Sequence, residues 1–300
     1  MILMIGSRVC AVLCLLVILV ASPGCLVRRR VITTQDSHGK PRQLQTATTN
    51  ALVDTLRRRY ETIRSFNATV DMTPVIGSVY KGEITEYKDV RAYILFRKPD
   101  EIRVIGLYPV VRSKAFDMVS NGQIFRILIP SKNRFVEGRN DAPAVSKNSL
   151  ENLRPDAFTN ALLISPPAEN ETPRMIDSTD EENALYILVM IGKTADNLPT
   201  IDRSVYFDRT NLQIVRQKIY DAEGNIVSDT RYREWKVFDG QLFPTSVDIN
   251  RPKDGYGVVM NVVKMDINTP LTDDKFVLNR PEGTQLHTIG TPAPAAGQPN

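Results

Sequence analysis

Few residues in this 300-residue chain are of a type that does covalent chemistry, and their positions narrow the choice further. The cysteines are Cys10, Cys14 and Cys25; the histidines are His38 and His287. Cys10 and Cys14 lie inside an uncharged apolar run, Val9 to Ala21, while Cys25 stands just past it, behind Ser22, Pro23 and Gly24. An exported chain normally uses its cysteines in pairs. A lone cysteine at the end of such a run reads instead as a thiol to be acylated. Nucleophile–histidine triads need a histidine inside the folded domain, and the sequence places His38 in a polar tether and His287 in a tail. Cys/His zinc ligands are missing, as are the G-x-x-x-x-G-K-S/T and G-x-G-x-x-G phosphate loops. The neighbouring carboxylates Glu181 and Glu182, and Asp273 and Asp274, read as solvated surface. No catalytic residue, metal or cofactor is expected, and the protein is read as non-enzymatic.

The segment that carries Cys25 reads as an export signal. Residues 1–8 hold one positive charge, Arg8, and Val9 to Ala21 is too short for a bilayer span of about 20 apolar residues. The row Ser22-Pro23-Gly24-Cys25 resembles a lipobox, with Ser22 where Leu, Val or Ile is usual. The expectation is cleavage of residues 1–24 and acylation of Cys25; the alternatives are an uncleaved membrane anchor or an ordinary secretory signal. Several acyl chains on one residue anchor far more firmly than one. Arg28, Arg29 and Arg30 follow at once, each worth about 1 kcal/mol near an anionic surface. They read as an electrostatic assist to the anchor, or simply as a solvated charge run in a tether.

The remaining composition bounds the function class. Hydrophobic content of 42% is enough for a core, and a net charge of +4 is too modest for a nucleic-acid binder. Residues 25–47 read as a basic, polar tether. Leu52, Leu56, Tyr60 and Ile63 recur at helical spacing, which predicts an amphipathic helix over about 50–66 with Thr48, Thr49 or Asn50 as N-cap. From Asn67 the period changes to two. Strands are expected near 67–73, 79–87, 91–97, 101–106, 114–119 and 123–129, with a short one at 134–137. Ser120-Asn121-Gly122-Gln123 predicts a type I′ hairpin. Residues 140–181 are polar and proline-rich and read as an insertion with two short helices, 149–153 and 155–164. Six further strands are expected between 184 and 267, then an ordered piece at 271–278. Residues 283–300, rich in Gly, Pro and Ala, read as a disordered tail. Residues 48–282 form one domain on this reading. Trp235 and Met118, Met190, Met260 and Met265 read as core; the methionines also suit the adaptable wall of a cavity for acyl chains.

These pieces resemble the bacterial lipoprotein-localisation family, that of the outer-membrane lipoprotein carrier and its membrane-anchored receptor. The resemblance spans about residues 50–280. It rests on YETIRSFNAT at 60–69, AYILFRKPDEIRV at 92–104, VSNGQ at 119–123, VYFDRTNL at 205–212, GQLFPT at 240–245 and INTPLTDDKFV at 267–277. It implies a mainly β (α+β) fold: an unclosed, curved antiparallel β-barrel with an N-terminal helix and a helical lid over an apolar cavity. The implied ligands are acyl chains of lipoproteins or lipids, with a periplasmic carrier protein as partner and no nucleic acid. The implied location is the periplasmic face of the outer membrane. Phe158, Leu162 and Leu163 are the expected lid residues. Leu107, Tyr108, Val110 and Val111 sit where the anchored receptor presents an apolar loop, and are candidates for membrane or ligand contact or for a buried turn. Two departures are the greater length of this chain and its more polar 140–181 segment.

Overall fold

A helix forms where the apolar period called for one. In the computed structural model, which describes residues 43–290 apart from 79, 81, 143–148 and 181, α1 spans Thr49–Thr62. The Thr48 hydroxyl accepts from the Ala51 amide at 3.2 Å, satisfying one of the free donors of the first turn. Leu52, Val53 and Leu56 are buried. The helix ends at Thr62 rather than near 66, because Asn268 intervenes from far along the chain. Its side-chain amide donates to the Thr62 carbonyl at 2.9 Å, and its side-chain oxygen accepts from the Arg64 amide at 2.7 Å. Phe66 therefore enters a strand, where its ring stacks on Phe96 with centroids 5.2 Å apart. A position three beyond Ile63 suits either period, and this contact decides between them.

Fifteen strands follow in one sheet: β1 (Ser65–Ser78), β2 (Glu83–Glu86), β3 (Val90–Arg97), β4 (Glu101–Leu107), β5 (Lys114–Ser120), β6 (Ile124–Ile129), β7 (Arg134–Arg139), β8 (Thr172–Thr179), β9 (Ala184–Lys193), β10 (Pro199–Asp208), β11 (Ile214–Tyr220), β12 (Ile226–Phe238), β13 (Gln241–Arg251), β14 (Tyr256–Ile267) and β15 (Gln285–Ile289). The order is β15-β7-β6-β5-β4-β3-β1-β14-β13-β12-β11-β10-β9-β8, with β2 on β1. The long β1–β14 pairing, from Phe66 against Ile267 to Ile76 against Tyr256, joins the two halves. The outermost strands β15 and β8 do not pair, so the curved sheet is unclosed, as expected. Between β7 and β8 lie a 3-10 turn (Ser149–Asn152) and α2 (Pro155–Leu162), which starts on a proline and is followed by Pro166 and Pro167.

Four local expectations need correction. The strand expected at 79–87 is only β2, because β1 runs on to Ser78. The 140–181 segment is not wholly a helical insertion: its end forms the edge strand β8. That strand escaped notice because both of its faces are largely polar, and an edge tolerates Pro173. The stretch beginning at 283 is not disordered throughout. Residues 285–289 form β15, parallel to β7, with Ile289 buried and His287 half-buried in the sheet. Their anchor is the preceding chain, which covers Val119 and Phe135 on the outer face with Phe276 and Leu278. The hairpin at 120–125 forms, but not through a type I′ turn, which needs positive φ at both central residues. Only Gly122 has it, at +90°; the Asn121 side chain instead accepts from the amides of Gln123 and Ile124 at 3.1 and 2.9 Å.

Candidate functional site

The concave face of the sheet is largely apolar, with Arg203, Gln217, Thr230 and Arg251 buried among its strands. Phe66, Val70, Ile94, Val104, Met118, Ile127, Leu188, Val205, Phe207, Val247 and Met260 are all buried in one cluster. α1 and α2 supply its cover. Phe158, Leu162 and Leu163, the expected lid residues, are buried against this face. Charged groups fasten α2 at both ends. Before it, Arg154 donates to the carbonyls of Ala142, Glu151 and Leu153 at 2.9–3.0 Å and lies over the Phe125 ring. Arg251 on β13 binds Asp254 at 2.5 Å and reaches Asp156 in the first turn at 3.4 Å. Beyond its C-terminus, Arg203 on β10 pairs with Glu171 and donates to the carbonyls of Ser165 and Pro166 at 2.8 Å. A short apolar helix is thus held by polar contacts at its two ends.

Where the two helices approach each other, a pocket of about 40 Å³ remains, lined by Leu56, Ile63, Leu162, Trp235, Leu242 and Phe243 among others. That is room for a few water-sized groups and far less than an acyl chain fills. Trp235 reaches this pocket through a break in the β12–β13 ladder. Arg233 pairs with Ser246 and Trp235 with Pro244, so the register is unshifted, while Glu234, at φ +55°, drops out of the ladder opposite Thr245. The Thr245 hydroxyl donates to the Glu234 carbonyl at 2.6 Å. Past this left-handed residue Trp235 lines the pocket, and its indole N–H donates to the Ile214 carbonyl at 3.2 Å. Arg59 of α1 lies over the indole, 4.6 Å from its centroid. Burial, and then the charge of Arg58, hold the Arg59 guanidinium below its usual range.

The loop between β4 and β5 is the second feature. Tyr108 and Arg112 close it by backbone hydrogen bonds, with Arg112 at φ +51°. Leu107 and Tyr108 are half-buried, and the Tyr108 hydroxyl donates to Ser131 at 3.0 Å. Val110 and Val111 are 91% and 76% exposed, so the alternative of a buried turn does not hold for these two. The base of the loop is fixed by Asp117 on β5. Its fully buried carboxylate accepts from Arg103 at 2.9 and 2.8 Å and from Lys114 at 2.7 Å. Burial alone would raise its pKa, but these cations hold it below the usual carboxylate range. The exposed Tyr80, Ile84 and Tyr87 belong to the hairpin of β1 and β2, at the same end of the sheet.

Cys25 and Arg28, Arg29 and Arg30 lie outside the described residues. His287, expected in a tail, sits in β15 with its Nδ1 3.1 Å from the Arg134 guanidinium. Among the described residues no group of three His, Cys, Asp or Glu side chains is placed to hold a metal ion, and no helix is long and apolar enough to cross a membrane. Sequence reasoning placed Trp235 in the core but missed Arg59. The only local signal was an arginine beside the apolar stripe of α1; the left-handed residue Glu234 before Trp235 has no signature in the strand's composition.

No family model matches the chain, and no curated protein matches its sequence. Its fold is matched among solved structures. A LolA superfamily protein from Nitrosomonas europaea superposes with a TM-score of 0.50 at 13% identity, over 78% of this chain and 99% of the other. A DUF1329 family protein from Desulfovibrio piger superposes with a TM-score of 0.51 at 15% identity, over 77% and 98%. An outer membrane lipoprotein-sorting protein domain from Vibrio parahaemolyticus aligns at 12% identity, over 75% and 94%, with a TM-score of 0.48. The unclosed sheet, the N-terminal helix and the second helix laid on the concave face are thus those of the LolA/LolB-like fold.

Proposed function

We propose that this chain is a non-enzymatic, lipid-anchored envelope protein that shelters acyl chains of lipoproteins or lipids between α1, α2 and the sheet. The observation that carries the reading is the apolar concave face covered by a helix of eight residues whose fastenings are polar and lie at its ends. Sliding an acyl chain under α2 exchanges one apolar contact for another, at about 0.8 kcal/mol per buried methylene. The polar contacts that must rearrange are those of Arg251 and Arg203 and the Gln217 side chain's 3.1 Å hydrogen bond to the Asn160 carbonyl. In this reading acylated Cys25 holds the protein to the periplasmic face of the outer membrane, with Arg28, Arg29 and Arg30 against the headgroups. Val110 and Val111 touch the membrane or the incoming ligand, and a periplasmic carrier delivers the cargo. Mass spectrometry of lipid extracted from the purified protein is the test, followed by uptake of a fluorescent acyl probe by the delipidated chain. Co-purified acyl chains and stoichiometric uptake are expected; a delipidated chain that takes up no probe sinks the idea.

One observation favours a second reading. The pocket between the helices offers only about 40 Å³, as a scaffolding or regulatory envelope protein with a solid core would have it. That protein would take up no probe, and the same experiment separates the two.

A further inference from the structure

The pocket between α1 and β12 contains more polarity than an acyl wall needs. The guanidinium nitrogens of Arg154, Arg203 and Arg251 that reach the lid find carbonyls or carboxylates. Arg59 differs: its buried Nη1 has no hydrogen-bond partner among the described residues, and Arg59 is the one arginine there with such an orphaned nitrogen. The Trp235 ring beneath it supplies only cation–π attraction. On the opposite wall the Tyr232 hydroxyl is buried near Thr230 without forming a well-aligned hydrogen bond. Buried donors without acceptors are uncommon in folded proteins, because the group has given up water for nothing in return. The cation and the phenol, each with a buried polar atom short of a partner, belong to residues that line one space of about 40 Å³. The rest of its lining is apolar, including Leu162, Ile164 and Leu242.

We infer that this pocket seats the oxyanion at the end of an acyl ligand, a carboxylate or a phosphate, with Arg59 as counter-ion and Tyr232 as second donor. The inference rests on the acyl-binding reading and narrows it to single-chain anionic amphiphiles. The volume fits a small head group, while the chain continues along Leu162 and Ile164 under the lid. A charge-assisted hydrogen bond out of water discriminates strongly against a ligand that cannot make it, on the order of 10- to 100-fold.

Trp235 is the only tryptophan in the chain, so its fluorescence reports on this pocket directly. Delipidated full-length protein is titrated with palmitate, lysophosphatidate and methyl palmitate, each below its micellar concentration. At least one anion is expected to bind about 10-fold or more tighter than methyl palmitate, and the tighter of the two tells carboxylate from phosphate. Arg59→Met is expected to erase that preference, bringing the anions to the affinity of methyl palmitate, with a far-ultraviolet spectrum like the parent's showing that the variant is folded. Arg59→Lys is expected to keep part of it. Equal binding of anionic and neutral probes, or a preference that survives Arg59→Met, overturns the inference and leaves acyl binding standing. Failure of every acyl probe to bind overturns the reading beneath it as well.

Discussion

Replacing Asp117 by Asn removes one charge from the base of the β4–β5 loop and changes almost no volume. The consequence can be worked from the geometry. The Asp117 side chain is fully buried, Arg103 is 16% exposed and Lys114 is 48% exposed. Taking one partner from a buried pair costs about 3–5 kcal/mol, because the other charge stays desolvated and unpaired. Lys114 is half in water and its share is screened, so the lower end, about 3 kcal/mol, is appropriate. For a domain of this size each kcal/mol moves the melting temperature by about 2–4 °C, which gives a drop of about 6–12 °C at pH 7. The pH dependence has a definite sign. The folded-state pKa of Asp117 is depressed, so its contribution is complete above the unfolded value of about 3.9 and is lost as pH falls through the folded value below that. Melting curves between pH 7 and pH 3 should therefore show a shallower acid decline for Asp117→Asn than for the parent. Joint replacement by Asp117→Leu and Arg103→Met should recover much of the loss, since apolar groups of similar volume substitute well for buried pairs. A melting temperature within 2 °C of the parent at pH 7, with an unchanged acid decline, would refute the reasoning.

Three further outcomes are expected. Leu56→Ala opens a cavity under α1, where Leu56 is buried, and should cost about 2–5 kcal/mol in urea unfolding without changing the far-ultraviolet spectrum of the sheet. Val110→Asp with Val111→Asp should leave stability within about 0.5 kcal/mol, since both side chains are exposed, yet weaken co-flotation with anionic vesicles. Removal of residues 285–300 strips β15 from β7 and uncovers Gly138, against which the Ile289 carbonyl packs. The truncated chain should melt lower and aggregate faster, because a bared strand edge pairs with other chains.

Most of the fold was legible because its signals are local. The period of α1, the change to alternation after Asn67, and the turn residues at 98–100, 208–211 and 221–225 each act within a few positions. The exposed loop at Val110 and Val111 was also found from sequence, by resemblance. Three things were not legible. β8 has no apolar alternation, since an edge strand needs none. β15 depends on docking by Phe276 and Leu278 on the outer face before it can pair with β7. The left-handed backbone at Glu234, which takes it and Thr245 out of the ladder just before the core residue Trp235, is held by a hydroxyl from the neighbouring strand.

By itself the sequence determined the class of fold: one amphipathic helix followed by a long antiparallel sheet. Those features follow from hydrophobic period and composition, which neighbouring residues set among themselves. The tertiary structure alone decided that α1 stops at Thr62, where Asn268 returns to bind both sides of its exit. It also decided that α2 packs on the concave face, and that Arg59 and Tyr232 line one pocket. Those outcomes join residues far apart in the chain, and a buried donor's want of an acceptor exists only once the surrounding walls have excluded water.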